Sequence, residues 1–415
     1  MIPTPRLALA LATAAAVLVA AGPTLGAVAV GLVAAGYLAD FRQLRRSPTV
    51  ARELPGVLER LRPVRLYITS TSPHGGPTRV LQPTIPELRL DAREGVGELA
   101  TQLRAMRRGR HVLPPVAVRT VGPLGLAVRD REMCGTTEIV VYPDVTGAKR
   151  IARGVASGRF SSAGRRRRGP IGIGTEFETI RDYTPDDDIR HVNWRATLRT
   201  GRPMTNSFRI DQDRDVMCVI DCGRLMTAPV GVHTRLDVAV DAAAAIAYTA
   251  DALGDRCGAI AFAGTVQRAL PPRRRGARAV VETIHDLEPN PVESNYELAF
   301  RTTAQAKRSL VVVFTDLFEE MAAAPLLDAL PLLSLTHAVV VAYVRDDDLR
   351  TAVIDPGDDR YGPYRSVVAL DALRTHRGAV ERLRHRGVTV IEGTAESLPE
   401  VAVGAYLDLK QRAVV

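Results

Sequence analysis

The densest group of side chains that could do chemistry lies between Asp186 and His191, where three consecutive carboxylates precede an imidazole. Asp186, Asp187, Asp188 and His191 are residue types that bind divalent cations or act as general acids and bases. Adjacent carboxylates in a loop after Pro185 point in divergent directions, however, and no second cluster completes a coordination shell. The sequence also lacks a G-x-S-x-G elbow, an H-E-x-x-H helix and a phosphate-cradling glycine loop. We therefore predict that the protein is not an enzyme, with a metal-dependent hydrolase centred on these residues as the alternative.

The segment around these carboxylates resembles the signature of the "domain of unknown function 58" family. Its pattern is G-x-E-F-x-x-I-R-D-Y-x-P-x-D-D-x-R-x-x-N-W. The matching residues are Gly174, Glu176, Phe177, Arg181, Asp182, Tyr183, Pro185, Asp187, Asp188, Arg190, Asn193, Trp194 and Arg199. The segment departs from the family at Asp186, where glycine is usual, and at Leu198, where a small residue is usual. The resemblance extends, more weakly, over residues 40–345.

This resemblance implies a von Willebrand factor A-like domain, a membrane anchor and partnership with AAA+ ATPases of the MoxR type. We therefore expect a protein-binding module, or adaptor, in the assembly or maturation of other proteins. For the signature itself the residue types favour a structural role, in which Arg–Asp pairs interlock and Tyr183 and Trp194 pack between two domains. The alternative is a partner surface formed by Arg181, Asp182, Tyr183, Asp187, Asp188, Arg190, Asn193, Trp194 and Arg199.

Two apolar, β-branched runs end in carboxylates. Val216–Ile220 is followed by Asp221, and Leu310–Thr315 is followed by Asp316. Parallel strands deliver such residues to one edge of an open α/β sheet, where these folds place their sites. We therefore expect the two carboxylates to lie at the same edge.

The resemblance implies a divalent ion at that edge, because von Willebrand A domains bind one with a D-x-S-x-S motif. Here Gly223 and Leu225 stand at the two serine positions, and neither supplies the hydroxyl oxygen that Mg²⁺ prefers. The guanidinium of Arg224 would compete with a cation, and Ser294-Asn295 is the nearest candidate for the loop threonine. We predict a degenerate site without a cofactor, its carboxylates in hydrogen bonds or an Arg pair. A weakly bound divalent cation is the alternative.

Alternating strands and helices predict the fold class of residues 174–415, an α/β von Willebrand A-like, doubly wound domain with a parallel sheet. The predicted strands are 216–220, 257–262, 310–315, 338–343 and 389–391, and the predicted helices are 234–253, 277–287, 296–305, 321–333, 371–386 and 401–411. Residues 47–149 contain short β-branched runs between turn signals, which are typical of a small antiparallel β-sandwich. Its predicted strands are 64–69, 87–90, 97–102, 111–119, 124–128 and 137–142.

The amino-terminal segment, residues 1–46, predicts a transmembrane helical hairpin with a basic flank. Residues 7–39 carry no charge, and Gly22-Pro23 interrupts them near the middle. A single tilted helix and a cleaved signal peptide are the alternatives. Arg42, Arg45 and Arg46 follow the apolar run, so the positive-inside rule keeps the main body in the cytoplasm, at the cell membrane. The four cysteines form no C-x-x-C pair, as expected of reduced cytoplasmic thiols.

Residues 150–173 are rich in Gly, Ser and Arg and predict an exposed, flexible basic loop. The loop contains Arg165, Arg166, Arg167 and Arg168, which account for part of the net charge of +9. A solvated loop is the favoured interpretation, and contact with anionic lipid headgroups is the second. Nucleic-acid binding is disfavoured, because no aromatic residues are interleaved to stack on bases.

Overall fold

The structure is a computed structural model that describes residues 2–162, 165–166, 176–184, 189, 192–209, 214–305, 308–317, 320–355, 357 and 359–411. The chain forms two compact units, Met1–Tyr142 and Pro143–Val415. Together they make a mixed α/β protein with several separate sheets.

The first unit begins with two apolar helices, α1 (Pro5–Ala21) and α2 (Pro23–Gln43), separated only by Gly22. Gly22 has φ +90°, a left-handed conformation that glycine adopts without strain. The helices pack against each other at Gly26, where an added Cβ would collide with Leu18. The predicted interruption is confirmed, and a single continuous helix is wrong. By length and composition α2 can cross a membrane, whereas α1 is shorter.

The rest of the first unit is built from short strands. They are β1 (Ile2–Pro3), β2 (Thr49–Glu53), β3 (Val57–Glu59), β4 (Pro63–Thr71), β5 (Thr78–Leu81), β6 (Leu88–Leu90), β7 (Glu94–Val96), β8 (Glu98–Ala105), β9 (Gly109–Leu113), β10 (Val116–Val121), β11 (Ala127–Met133) and β12 (Thr137–Tyr142). Three sheets have the orders β1-β11-β10-β5-β7, β2-β4-β8-β6 and β3-β12-β9. Neighbours are antiparallel except β3 and β12. Strict alternation of exposed and buried residues along β8 shows one face packed on the core.

Two sequence predictions in this unit need correction. The run 111–119 is two strands rather than one, because Pro114-Pro115 cannot donate to a sheet ladder. Residues 124–126 belong to a turn, and the strand there begins at Ala127. Glycine at position 125, with φ +72°, sets that turn.

The second unit opens with a helix that the sequence analysis missed. Residues 150–156, predicted as loop, belong to α3 (Val145–Ala156), whose buried stripe includes Ile151 and Val155. The next residues form a short ladder of β13 (Ser161–Ser162) and β14 (Arg165–Arg166). The predicted loop therefore does not begin at residue 150, because α3 continues to Ala156. Arg167 and Arg168 lie outside the described residues.

The signature segment contains an antiparallel strand pair and a short helix. They are β15 (Glu176–Asp182), α4 (Trp194–Thr200) and β16 (Met204–Arg209). Asn193 caps α4 by accepting from the Ala196 N–H, and Gly201 ends it in the left-handed conformation.

A six-stranded sheet forms the core of the second unit, with the order β21-β20-β17-β22-β23-β24. Its strands are β17 (Asp215–Asp221), β20 (Arg256–Phe262), β21 (Val266–Arg274), β22 (Leu310–Phe314), β23 (Ala338–Val344) and β24 (Thr389–Gly393), with a two-stranded pair β18 (Pro229–Val230) and β19 (His233–Thr234) beside it. Five strands are parallel, as predicted. The edge strand β21 is antiparallel, an exception that the sequence analysis did not foresee.

Helices cover this sheet, and their bounds are α5 (Arg235–Leu253), α6 (Ala277–Ile284), α7 (Tyr296–Ala304), α8 (Glu320–Ala329), α9 (Pro331–Ser334), α10 (Asp347–Ile354), α11 (Gly362–His385) and α12 (Leu398–Gln411). One group, α3, α6 and α12, packs with α5, while α7, α8, α9 and α11 pack with one another. The second group shares a core with Met217 and Val219, which alternate along β17 with residues facing the other side. The sheet is therefore covered on both faces.

Candidate functional site

The carboxyl ends of β17 and β22 place two aspartates at one edge of the six-stranded sheet. The strands are adjacent and parallel, with Ile220 opposite Phe314, so Asp221 lies beside Thr315 and Asp316. Both carboxylates are nearly inaccessible, at 2% and 3% exposed. The edge predicted from the sequence is therefore formed, and its contacts define what it can do.

Asp221 is surrounded by four hydrogen-bond donors. Its Oδ1 accepts from the backbone N–H of Gly223 (2.8 Å) and from Ser294 Oγ (2.5 Å). Its Oδ2 accepts from Tyr296 Oη (2.9 Å) and Thr315 Oγ1 (2.7 Å). A carboxylate offers about four lone-pair sites, so these donors occupy its accepting capacity. Burial first, and then the Asp221 charge, raise the pKa of Tyr296, which keeps this hydroxyl a donor.

Gly223 leaves the space that one of those donors occupies. A Cβ at this position would lie 2.0 Å from Ser294 Oγ and 3.1 Å from Asp221 Oδ1. The Ser294 hydroxyl therefore fills the volume that any side chain at residue 223 would need. Leu225 is half-buried and carries no hydroxyl either.

Asp316 is paired with an arginine that the sequence analysis did not identify. Arg235, 5% exposed, donates through Nη1 to Asp316 and through Nη2 to Asp346 Oδ2 at 3.0 Å. Burial raises the pKa of the Asp316 carboxyl to about 6, while the Arg235 charge acts in the opposite direction. Thr234 and Asp237 form a capping box at the start of α5, which fixes the position of Arg235. The edge thus contains its own cation.

Arg224 does not take that role. Its Nε donates to Glu293 Oε1 at 3.0 Å, and both side chains are largely exposed. The prediction that Arg224 competes for the buried carboxylates is wrong. The capping-box pattern T-R-L-D at 234–237 marks the start of α5 in the sequence, but it does not indicate that Arg235 pairs with Asp316.

Next to this network lies a cavity of about 30 Å³, enough for one water molecule. Its titratable lining consists of Arg235, Asp316, Tyr343, Arg345, Asp346, Arg350, His376 and Glu392. Tyr343 Oη donates to Glu392 at 2.6 Å, and Arg345 Nε donates to Asp347 at 2.7 Å. Burial lowers the pKa of His376, which packs edge-on against the Tyr343 ring. Several lining residues are thus engaged in hydrogen bonds, and the space is too small for an organic substrate.

The described part of the signature presents an exposed surface. Trp194 is 67% exposed and Leu198, one helical turn later, is 86% exposed. Trp194 is therefore a surface residue of its own unit rather than part of its core. Packing of the indole between two domains stays a prediction. Asn193 is held inside the segment, because its Nδ2 donates to Asn206 Oδ1 at 2.8 Å. Arg199 is exposed and Tyr183 half-buried.

Interlocked Arg–Asp pairs were predicted for the signature. The contact described next is instead a local one, from an arginine to a backbone carbonyl. Arg181 Nη1 donates to the backbone carbonyl of Asp182 at 3.1 Å. Asp187, Asp188 and Arg190 lie outside the described residues. So does the rest of the proposed hydrolytic centre at residues 186–191, apart from Ile189. Among the described residues, no group of three or more His, Cys, Asp or Glu side chains is arranged to hold a metal ion.

Fold and site together define an α/β protein with a closed polar network at the sheet edge and an apolar helix near its amino terminus. Residues 179–360 match the sequence profile of the family described as "Protein of unknown function DUF58". Uncharacterized proteins of Mycobacterium bovis and Mycobacterium tuberculosis are 27% identical over 207 residues, which is 48% of this chain and 62% of theirs. The match thus spans less than two thirds of those relatives.

A comparison with solved structures adds no argument on the fold. The crystal structure of a mutant SrpA adhesin from Streptococcus sanguinis is 12% identical, with 37% of this chain and 78% of that chain covered. Its TM-score is 0.17.

Proposed function

We propose that this chain is a membrane-anchored module that binds a partner protein through the exposed face of α4. The observation that carries the proposal is the exposure of Trp194 and Leu198 together inside the signature segment. Trp and Arg are the residue types that contribute most to protein interfaces. Arg195 and Arg199, both exposed, lie beside this apolar pair on the same short helix. The surface therefore combines an aromatic anchor with guanidinium groups.

The partner that the family resemblance favours is an AAA+ ATPase of the MoxR type. The module would present the ATPase to proteins that it assembles or matures. The α/β unit, with β17, β20, β22, β23 and β24 parallel and helices on both faces, supports a von Willebrand A-like fold for this role.

Membrane anchoring rests on α2, which has 21 residues, a mean hydropathy of 1.6 and an outer surface that is mostly exposed. At 1.5 Å per residue its length is about 31 Å, which matches the hydrocarbon core of a bilayer. Arg42, Arg45 and Arg46 follow it and favour a cytoplasmic location for the rest of the chain. Protease added to intact spheroplasts should then leave the body uncut, whereas digestion from outside would reverse the orientation.

Partner binding in this proposal requires no metal ion. The four donors to Asp221 and the Arg235 pair of Asp316 stand where a cation would compete for the same oxygens. We expect calorimetry to show no Mg²⁺ or Mn²⁺ binding tighter than millimolar, and a melting temperature indifferent to EDTA. A micromolar isotherm that Asp221→Ala abolishes would restore a metal-dependent site.

The decisive experiment measures binding of the MoxR-type ATPase from the same organism to the full chain in nanodiscs. Trp194→Ala with Leu198→Ala should weaken binding by at least 10-fold, as expected for an interface anchor. Leu335→Ala is the matched control, because Leu335 is 88% exposed in the same unit and outside α4. Equal affinity of the double variant and the wild type would exclude the α4 face, and no binding by the wild type would exclude this partner.

A further inference from the structure

A buried carboxylate joins the end of the apolar hairpin to the turn between β10 and β11. Asp40, in the last part of α2, is 1% exposed. It accepts hydrogen bonds from the backbone N–H groups of Leu124 (2.9 Å), Leu126 (2.7 Å) and Ala127 (3.2 Å). Three backbone N–H groups thus donate to one buried carboxyl side chain, which satisfies its two oxygens inside the protein. The turn is therefore joined to the helix by side-chain to backbone hydrogen bonds.

The start of α1 contacts the same turn. Thr4, which caps α1, donates through Oγ1 to the carbonyl of Gly125 at 2.6 Å and through its N–H to that of Leu126 at 3.1 Å. The preceding strand β1 pairs with β11. Gly122 is required by the close approach, because a Cβ there would lie 2.3 Å from Asp40 Cγ.

The tip of the turn continues the apolar surface of α2. A Cβ on Gly36 would lie 3.1 Å from Leu126 Cδ1 and 3.3 Å from Leu124 Cδ1. Gly36 is four residues before Asp40, so these leucines reach about 6 Å along the helix toward its apolar centre. Leu124 nevertheless keeps 56% of its surface exposed. An exposed leucine thus stands beside a candidate membrane helix at a depth set by backbone hydrogen bonds.

Basic groups surround the same end of the hairpin. Arg42, Arg45 and Arg46 lie at or just after the end of α2. The guanidinium of Arg131, on β11, donates to the carbonyls of Leu44, Arg45 and Arg46 at 2.6–3.1 Å. Arginines at this level match anionic phospholipid headgroups, each contributing ~1 kcal/mol to surface binding.

We propose that the β10–β11 turn, residues 122–126, lies in the membrane interface beside the hairpin, with Leu124 among the lipid acyl chains. This inference rests on the anchoring role of α2. It makes the β-rich unit itself an interfacial element, held at a fixed height on the bilayer by Asp40. The occupant of the exposed Leu124 surface is phospholipid, because the surface is continuous with that of α2 and is bordered by arginines.

The test places one tryptophan at a time in the full-length Trp194→Phe chain, reconstituted in anionic vesicles. Leu124→Trp should fluoresce at shorter wavelength than in water and lose at least half of its emission to phospholipids brominated in the upper acyl chain. Val57→Trp is the matched control, since Val57 is 53% exposed in the same unit but lies on β3, in a different sheet from β10 and β11. The emission maximum of this tryptophan should stay at the wavelength of tryptophan in water, and brominated lipid should not quench it.

A third variant separates this inference from the anchoring role. Leu32→Trp, on the exposed side of α2, should be quenched whenever the helix is in the bilayer. Quenching at residue 32 without quenching at 124 would overturn the inference and leave anchoring intact. A blue-shifted but unquenched residue 124 would also overturn it, because protein would then cover the turn. Failure at both positions would remove the anchoring role and the inference together.

The Asp40 contact provides a second readout. In the Leu124→Trp chain, Asp40→Ala removes the acceptor for three N–H groups and should raise quenching of Trp by aqueous iodide at least twofold. The Leu32→Trp chain with Asp40→Ala should retain its lipid quenching. Unchanged iodide access at residue 124 would contradict the role of Asp40 in setting the height of the turn.

Discussion

The sheet edge around Asp221 and the α4 face around Trp194 use similar residue types with opposite results. At the edge, aspartate, arginine and tyrosine satisfy one another, and Asp221 and Arg235 are 2% and 5% exposed. On α4 the tryptophan is 67% exposed, and its neighbouring arginines face solvent. Polar groups that are saturated internally stabilise a fold but have little left to offer a ligand. The comparison therefore assigns stability to the edge, and it is consistent with our proposal that the helix binds a partner.

The largest expected effect is at Arg235. Arg235→Ala leaves the buried Asp316 carboxylate without its cation, and we expect a loss of about 3–5 kcal/mol of unfolding free energy. Urea denaturation of the full chain in detergent, followed by circular dichroism, measures it. The control is Arg278→Ala, whose i,i+4 pair with Glu282 is exposed and should contribute under ~0.5 kcal/mol. Equal losses in both variants would contradict the closed character of the edge.

A smaller loss is expected at Gly223. Gly223→Ser places atoms where Ser294 Oγ lies and should cost about 1–3 kcal/mol by overpacking. Ser294→Ala in the same chain should recover part of that cost, because it vacates the contested volume. Gly154→Ala on α3 is the control, since a Cβ there meets nothing within 4 Å. Additive losses for Gly223→Ser and Ser294→Ala would show that the two positions are independent.

The pH dependence of the unfolding free energy tests the contribution of Asp316. Its pKa of about 6 in the native chain lies above the ordinary value of 3.8, so the native state binds the proton more tightly than the unfolded state. The contribution of this group to stability is therefore full below pH 4 and falls as the pH rises through 6. Relative to Asp316→Asn, the wild type should gain stability when the pH is lowered from 7 to 5. A relative loss on acidification would show that the Arg235 charge outweighs burial.

The smallest effect is expected on α4. Trp194→Ala with Leu198→Ala should change the unfolding free energy by less than ~0.5 kcal/mol, because neither side chain is buried. The same denaturation measurement serves, so this variant and Arg235→Ala can be compared directly. A loss above ~1 kcal/mol would mean that the indole supports the fold, and binding results for this variant would then need reinterpretation.

Sequence periodicity predicted the buried α/β core well and its margins poorly. The runs at Val216–Ile220 and Leu310–Thr315 are buried on both faces, so composition alone indicated strands. The antiparallel β21 contains Pro271-Pro272, and prolines at these positions indicated a loop rather than a strand. Helix α3 was missed because Gly147, Arg150, Arg153 and Gly154 suggested a loop, although Ile151 and Val155 form a buried stripe with helical spacing. Tertiary burial overrode local propensity there.

The residues of the site were likewise predicted in part. Asp221 and Asp316 were predicted from the strand ends, whereas Ser294 was named only as the nearest candidate for the loop threonine that the family resemblance implies. Arg235 and Asp346 are distant in sequence and converge only when α5 and α10 pack at the edge, so no local pattern could pair them. The exposure of Trp194 was also beyond sequence reasoning, because large aromatic residues are buried more often than not.

The fit of Ser294 against Gly223 restricts the order in which this edge could change. A hydroxyl at residue 223 collides with Ser294 Oγ as long as that serine is present. Losing Ser294 first removes one of the four donors to Asp221 and leaves one acceptor position open inside the fold. Each of these two substitutions therefore lowers stability when it is made first, and only the two together are compatible with the packing at this edge. A hydroxyl can therefore enter position 223 without loss of stability only when residue 294 changes with it.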